Sequence, residues 1–181
     1  MSVAESAFEA LLNLAQQSRA AARGLPAQAD IRPQWSGIGF SLMGNLFVAP
    51  MGEVSEMLEV PDYTHLPGVQ PWVKGVANVR GRLLPLFDMG VFFGDRLLGS
   101  RKQRRVLILE TENLYSGLIV DKVLGMQHFP MDEYSYQAGR VAESIQPYVT
   151  GSYPQGSDVW SVFRPALLAD DPRFTNAAKV S

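Results

Sequence analysis

The residues able to do chemistry in this chain are few and scattered. Histidine occurs at positions 65 and 128, each beside a proline-containing turn, and neither has a second ligand-type side chain at metal-ligand spacing. Cysteine is absent, which excludes disulfides and thiolate metal sites. Asp88 and Asp121 each end an apolar run, so an acid pair is conceivable, although turn or cap carboxylates are the commoner use of such positions. Ser36 and Ser116 lack a nucleophile elbow, and Gly37-Ile38-Gly39 lies in a strand pattern without the rest of a nucleotide fingerprint. The chain is therefore expected to hold no catalytic set, no metal and no cofactor.

Binding chemistry is better represented. Arg80-Gly81-Arg82 turns the chain between Val73–Val79 and the run Leu83-Leu84-Pro85-Leu86-Phe87. A turn on a rigid base presents its side chains to water, and an Arg there offers a planar fork of donors to carboxylates or carbonyls. Taken singly, Arg80 and Arg82 read as solvated turn residues. The basic run Arg101-Lys102-Gln103-Arg104-Arg105 is balanced by Asp95, Glu110 and Glu112, which suits a solvated loop more than a phosphate-backbone site. Trp72, Phe92 and Phe93 are rings that a nucleic-acid-binding β-barrel would use for base stacking, and core burial accounts for them equally well.

The elements that must position these residues follow from composition and pattern. At 181 residues the chain suits one ordinary domain, and 46% hydrophobic against 19% charged residues marks it as folded rather than disordered. A net charge of -2 gives no general pull towards nucleic acid or an anionic membrane, so recognition must be local. Glu5 and Glu9 stand where a signal peptide would be positive, and no apolar run approaches the ~18 residues of a membrane span, so a cytoplasmic location without membrane insertion is expected.

Residues 1–24 carry Phe8, Leu11, Leu12 and Ala15 at helical spacing, with a Ser2–Glu5 capping box and a Gly24-Leu25-Pro26 stop. A linker follows to residue 34. From Trp35 the pattern is β: a hairpin about Gly44-Asn45, an undecided stretch Met51–Val60, a strand bulged at Gly75, an edge or bent strand at Pro85, a hairpin about Glu112-Asn113, and another about Gln155-Gly156-Ser157-Asp158. Pro165 opens a short terminal helix, and the tail after Asp171 is expected to fray. Short strands with Gly and Pro turns imply an all-β fold of one or two small barrels. The corresponding divisions are 1–34, an N-terminal helical extension and linker; 35–170, the β domain; and 171–181, a tail.

Six stretches then share an order with a known family. They are the first hairpin, Glu53-Val54-Ser55-Glu56-Met57, Leu66-Pro67-Gly68, Lys74-Gly75-Val76-Ala77-Asn78-Val79-Arg80-Gly81, Leu84-Pro85-Leu86-Phe87-Asp88, and Gly117-Leu118-Ile119-Val120-Asp121-Lys122-Val123. Over about residues 35 to 170 the chain resembles the CheW-like adaptor domain. The resemblance implies two small five-stranded SH3-like β-barrels sharing an apolar core, with no active site. It implies a scaffold that joins the cytoplasmic tip of methyl-accepting chemoreceptors to the regulatory domain of a CheA-type histidine kinase, at membrane-associated arrays reached through those partners. The N-terminal extension and the wording Trp72 to Pro85 look like the branch that controls type IV pili and twitching. Partner-contact positions carried over from the family fall on Val54, Glu56, Gly75 and Arg80. Two departures stand out: Phe163-Arg164 replaces the usual Leu-Asp before the last helix, which leaves the cap of that Asp unaccounted for, and the N-terminal helix has no counterpart in the minimal domain.

Overall fold

A computed structural model describes residues 3–21 and 31–177. Ser2 of the expected capping box, the Gly24-Leu25-Pro26 stop and residues 26–30 of the expected linker lie outside them, as do residues 178–181. The chain divides into two units, Met1–Arg32 and Pro33–Ser181. In the first, α1 (Val3–Ala21) carries Phe8, Leu11, Leu12 and Leu14 exposed. No helix among the described residues is long and apolar enough to cross a membrane.

The second unit begins with β1 (Gln34–Leu42), β2 (Asn45–Pro50), β3 (Glu56–Glu59), β4 (Val73–Val79), β5 (Arg82–Asp88) and α2 (Met89–Phe92). It continues with β6 (Arg105–Glu110), β7 (Tyr115–Val120), β8 (Lys122–Pro130), β9 (Val149–Gln155), β10 (Asp158–Phe163), α3 (Ala166–Ala169) and α4 (Pro172–Thr175). The strands form two five-stranded sheets, ordered β3-β6-β7-β5-β4 and β8-β1-β2-β10-β9. Both sheets use one connectivity. Each has an outer strand against an antiparallel hairpin, a single parallel contact (β7 with β5, β2 with β10), and a second antiparallel hairpin.

The equivalence extends to single residues. Gly75 pairs with Leu86 beside a register shift in one sheet, and Gly151 pairs with Val162 beside a register shift in the other. An isolated bridge lies next to each glycine, Thr64–Val76 and Ser135–Ser152. A Cβ on either glycine would collide with the carbonyl oxygen of the bridging residue, Thr64 or Ser135. The bulge expected at Gly75 is thus present, and its cause is the close approach of a crossing segment.

Two expectations need correction, and one open choice is decided. The first hairpin turns at Met43-Gly44, since Leu42 pairs with Asn45, and Gly44-Asn45 is one residue late. β5 lies inside its sheet rather than at an edge. Pro85 is tolerated there because Val76, its partner, directs its own N–H and C=O to Thr64, so this pair exchanges no bonds, while the β7 ladder starts only at Leu86. The undecided stretch resolves into a 3-10 turn at Met51–Glu53 followed by β3, whose burial alternates residue by residue, so Met57 and Leu58 belong to a strand and not to a helical turn.

One apolar cluster joins the sheets, with Phe40, Phe47 and Phe163 from one and Leu84, Leu86, Leu107 and Leu118 from the other. A smaller cluster of Val48, Phe129, Tyr153, Trp160 and Val162 fills the second sheet alone. The chain passes between sheets at buried Asp121, whose carboxylate accepts from Gly44 N (3.1 Å) and Leu98 N (2.6 Å). The expected fraying after Asp171 does not occur through residue 177. Asp171 caps α4 by accepting from Arg173 N (2.7 Å), Phe174 is buried against Phe87 and Phe92, and Gln70 N donates to Ala177 O (2.8 Å).

Candidate partner-binding site

The β4–β5 hairpin ends in the two-residue loop Arg80-Gly81, with φ of 50° and 78°, the left-handed pair of a type I′ turn. Gly81 adopts this freely, whereas Arg80 does so at a cost. Asn78 Oδ1 helps by accepting from Gly81 N (2.9 Å). The Arg80 guanidinium reaches Glu56 in a bidentate pair, Nη1 to Oε2 at 2.9 Å and Nη2 to Oε1 at 2.5 Å. Glu56 opens β3, and β3 and β4 are the two outer strands of their sheet, so this pair clasps the sheet's edges where no backbone ladder joins them.

Beside the clasp Arg82 Nη1 donates to Glu110 Oε1 (2.6 Å), and its guanidinium lies 3.8 Å over the Tyr115 ring. The bond to Glu110, and then its charge, raise the Arg82 pKa above its ordinary value. The two arginine pairs border a depression of about 100 Å3 floored by Ser55, Val79 and Ile108. Leu83, at 70% exposure, lies outward opposite Asn78, and Met57 is also exposed.

The structure therefore brings two of the four expected contact residues, Glu56 and Arg80, into direct contact. Val54 is two residues before Glu56, half-buried and packed on the shared core. Gly75 is placed apart: it is buried under Thr64, five residues before Arg80, or about 17 Å along an extended strand. The sequence reading missed Arg82 with Glu110 and Tyr115, which meet across sheet pairings, and Leu83. A signal for Leu83 existed, because adjacent Leu83 and Leu84 in a strand must face opposite sides.

The side chains considered for chemistry do not converge. Asp88 caps α2 through Val91 N (3.0 Å) and faces Lys74 Nζ at 3.7 Å, while Asp121 holds the sheet crossing. His128 Nδ1 bonds Ser36 Oγ (2.7 Å), and His65 stacks edge-on against Tyr63. No group of three or more metal-ligand residues occurs among the described residues. Phe92 and Phe93 are buried and Trp72 packs on Phe92, so none of these rings forms an open platform for bases.

The missing cap before α3 has a replacement. Arg164 occupies the position equivalent to Asp88, and Glu53 from the 3-10 turn after β2 ion-pairs with Arg164 Nε while accepting from Ala166 N (2.9 Å). The carboxylate that cannot come from position 164 comes from another segment.

Comparison with known proteins adds an independent line. Residues 36–173 match the model of the CheW-like domain. The chain is 49% identical to Protein PilI of Pseudomonas aeruginosa over 178 residues, covering 98% of this chain and 99% of that protein. It is 24% identical to Chemotaxis protein CheW of Thermotoga maritima over 98 residues, 54% of this chain and 64% of that one. Among solved structures, scaffolding protein TtCheW from Thermoanaerobacter tengcongensis matches with a TM-score of 0.63 at 23% identity, over 72% of this chain and 89% of that one.

Proposed function

The chain belongs to the CheW-like domain family, and on that premise we propose that it is a non-catalytic adaptor joining the cytoplasmic tip of methyl-accepting chemoreceptors to a CheA-type histidine kinase, in the system that controls type IV pili and twitching. Likeness to PilI over nearly the whole chain supports the pilus branch. The observation that carries the adaptor reading is the Glu56–Arg80 clasp: charged groups held in fixed geometry on a rigid hairpin, partly exposed, with no group of metal-ligand residues among the described residues. Such a feature recognises a partner and transforms nothing. Val54, Glu56 and Arg80 are the proposed contact residues, with Gly75 setting the course of β4 beneath Thr64. Location at membrane-associated arrays follows from the partners.

The test is capture of the regulatory domain of the CheA-type kinase and of the receptor tip from the same genome by the purified protein. Retention of both is expected. Retention of neither, or salt-sensitive retention of nucleic acid in their place, overturns the reading.

A further inference from the structure

The basic run reappears in the fold as part of a cleft rather than as a plain solvated loop. A cavity of about 690 Å3 is bordered by Lys74, Arg101, Lys102 and Arg104, with Asp62 and Asp88 as its acidic members. Arg105, by contrast, turns away. It donates to the carbonyls of Lys102 and Arg104 (both 2.8 Å) and approaches Glu59 at 3.7 Å, and Gln103 N closes a turn on Ser100 O (3.0 Å), so the loop carrying the cations has a defined shape.

Charge in the cleft is unbalanced. Asp88 is already engaged by Lys74 and by the first turn of α2. Among the described residues the Arg101 and Lys102 side chains have no acidic or hydrogen-bonding partner, and the Arg104 Nε is buried without one. Lys74 lies near the start of β4 and Arg80 in the loop just past its end, six residues or about 20 Å along the chain, so this cleft is a surface distinct from the Glu56–Arg80 clasp.

We propose that this cleft binds an acidic segment of a partner protein. Charge complementarity selects an anionic occupant. The form of the cations selects carboxylates spread along a chain: Arg101 and Lys102 are exposed and set along the rim, and the two lining carboxylates oppose a compact, multiply charged phosphate. The Tyr63 and His65 rings, with centroids 5.3 Å apart, line the same cleft and give the intervening residues ring faces and polar edges to rest on. The inference does not rest on the adaptor reading.

The experiment is fluorescence anisotropy of a labelled peptide of alternating Glu and Ser, about twelve residues long, at roughly 50 mM and roughly 300 mM salt. Saturable binding, weakened at the higher salt, is expected. Arg101→Glu weakens it by about tenfold or more, while Arg140→Glu, the same charge change at an exposed site elsewhere, alters it by less than about twofold. If Arg101→Glu melts at a lower temperature, Lys102→Gln in a natively melting protein carries the same comparison. No saturable binding, equal weakening by Arg140→Glu, or saturable binding of sodium tripolyphosphate with none of the peptide each overturns the proposal.

Discussion

Arg80 stands in a left-handed conformation, φ 50°, where Gly and Asn are the usual occupants. Holding a long side chain there costs about 1 kcal/mol or more. The bidentate pair with Glu56 offsets part of this, but with Arg80 at 75% side-chain exposure the pair contributes only about 0.2–1 kcal/mol. Arg80→Asn relaxes the turn while losing the pair, so the two changes nearly cancel, and the melting temperature should move by less than about 4 °C. Binding to the kinase regulatory domain or the receptor tip should fall by about tenfold or more, because an interface Arg is a frequent anchor. A large fall in melting temperature makes Arg80 a fold residue, and unchanged binding with an unchanged melt removes it from the contact site. Gly75→Ala tests the opposite case. Its φ of 150° and the Thr64 carbonyl leave no room for a Cβ, so the substitution should cost about 3 kcal/mol or more, read by denaturant titration. Any loss of partner binding in that variant should track the loss of fold.

At the scale of elements, the sequence displayed what is local and hid what is supplied from afar. The hairpins and the Gly75 bulge were legible because turn chemistry and period-two alternation act between neighbours. The passage from β7 to β8 is not legible in the run Leu118 to Leu124, since an apolar run carries no mark where it leaves one sheet for another; the mark is Asp121, whose partners are 23 and 77 residues away. Likewise the cap of α3 comes from Glu53, 113 residues before Ala166. Glu53→Ala strips both the Ala166 N–H and the Arg164 guanidinium of their acceptor, and should cost about 2 kcal/mol, some 4–8 °C in melting temperature. Arg164→Ala leaves the cap in place and removes a group 42% exposed, so it should cost less than about 1 kcal/mol. Equal costs mean that the ion pair, rather than the cap, carries the stabilisation.

Asp171 makes the closing element sensitive to acid. Burial pushes its carboxyl up, but the hydroxyl of Tyr148, the backbone N–H of Arg173 and the neighbouring guanidinium outweigh burial, and the group ends below its ordinary value. Burial, followed by the bond to Asp171, raises Tyr148. A carboxylate depressed in the folded state contributes its stability fully above the unfolded value, about 3.9, and loses it as pH falls through the lower folded value. The stability difference between the parent and Asp171→Asn, followed by urea titration, should therefore be constant from pH 7 to about 5 and shrink below about pH 4. A difference that grows on acidification reverses the sign of the argument.

For the molecule as a whole, strand composition and spacing made an all-β fold legible, whereas the identical connectivity of the two sheets did not follow from them. β1 and β2 come from the start of the chain and complete a sheet whose other strands come from its end, so the second sheet has no contiguous sequence segment. The same long-range closure explains why the two ends of the chain should tolerate truncation differently. Removing residues 1–30 takes away a helix whose Phe8, Leu11, Leu12 and Leu14 are exposed, and leaves every residue of both apolar clusters in place. That truncation should change the urea midpoint little. Removing residues 171–181 takes away Phe174, 1% exposed with its ring centroid 4.8 Å from that of Phe87, together with the Asp171 bond to Tyr148 and the Ala177 carbonyl that receives Gln70 N. Losing a buried Phe alone costs about 3–5 kcal/mol, a large share of the 5–15 kcal/mol typical of a domain. The shorter deletion should accordingly be the more damaging, with a midpoint well below that of the 1–30 deletion or no cooperative transition at room temperature. If the two midpoints instead fall in the opposite order, the C-terminal segment contributes little and the first helix is part of the folded domain.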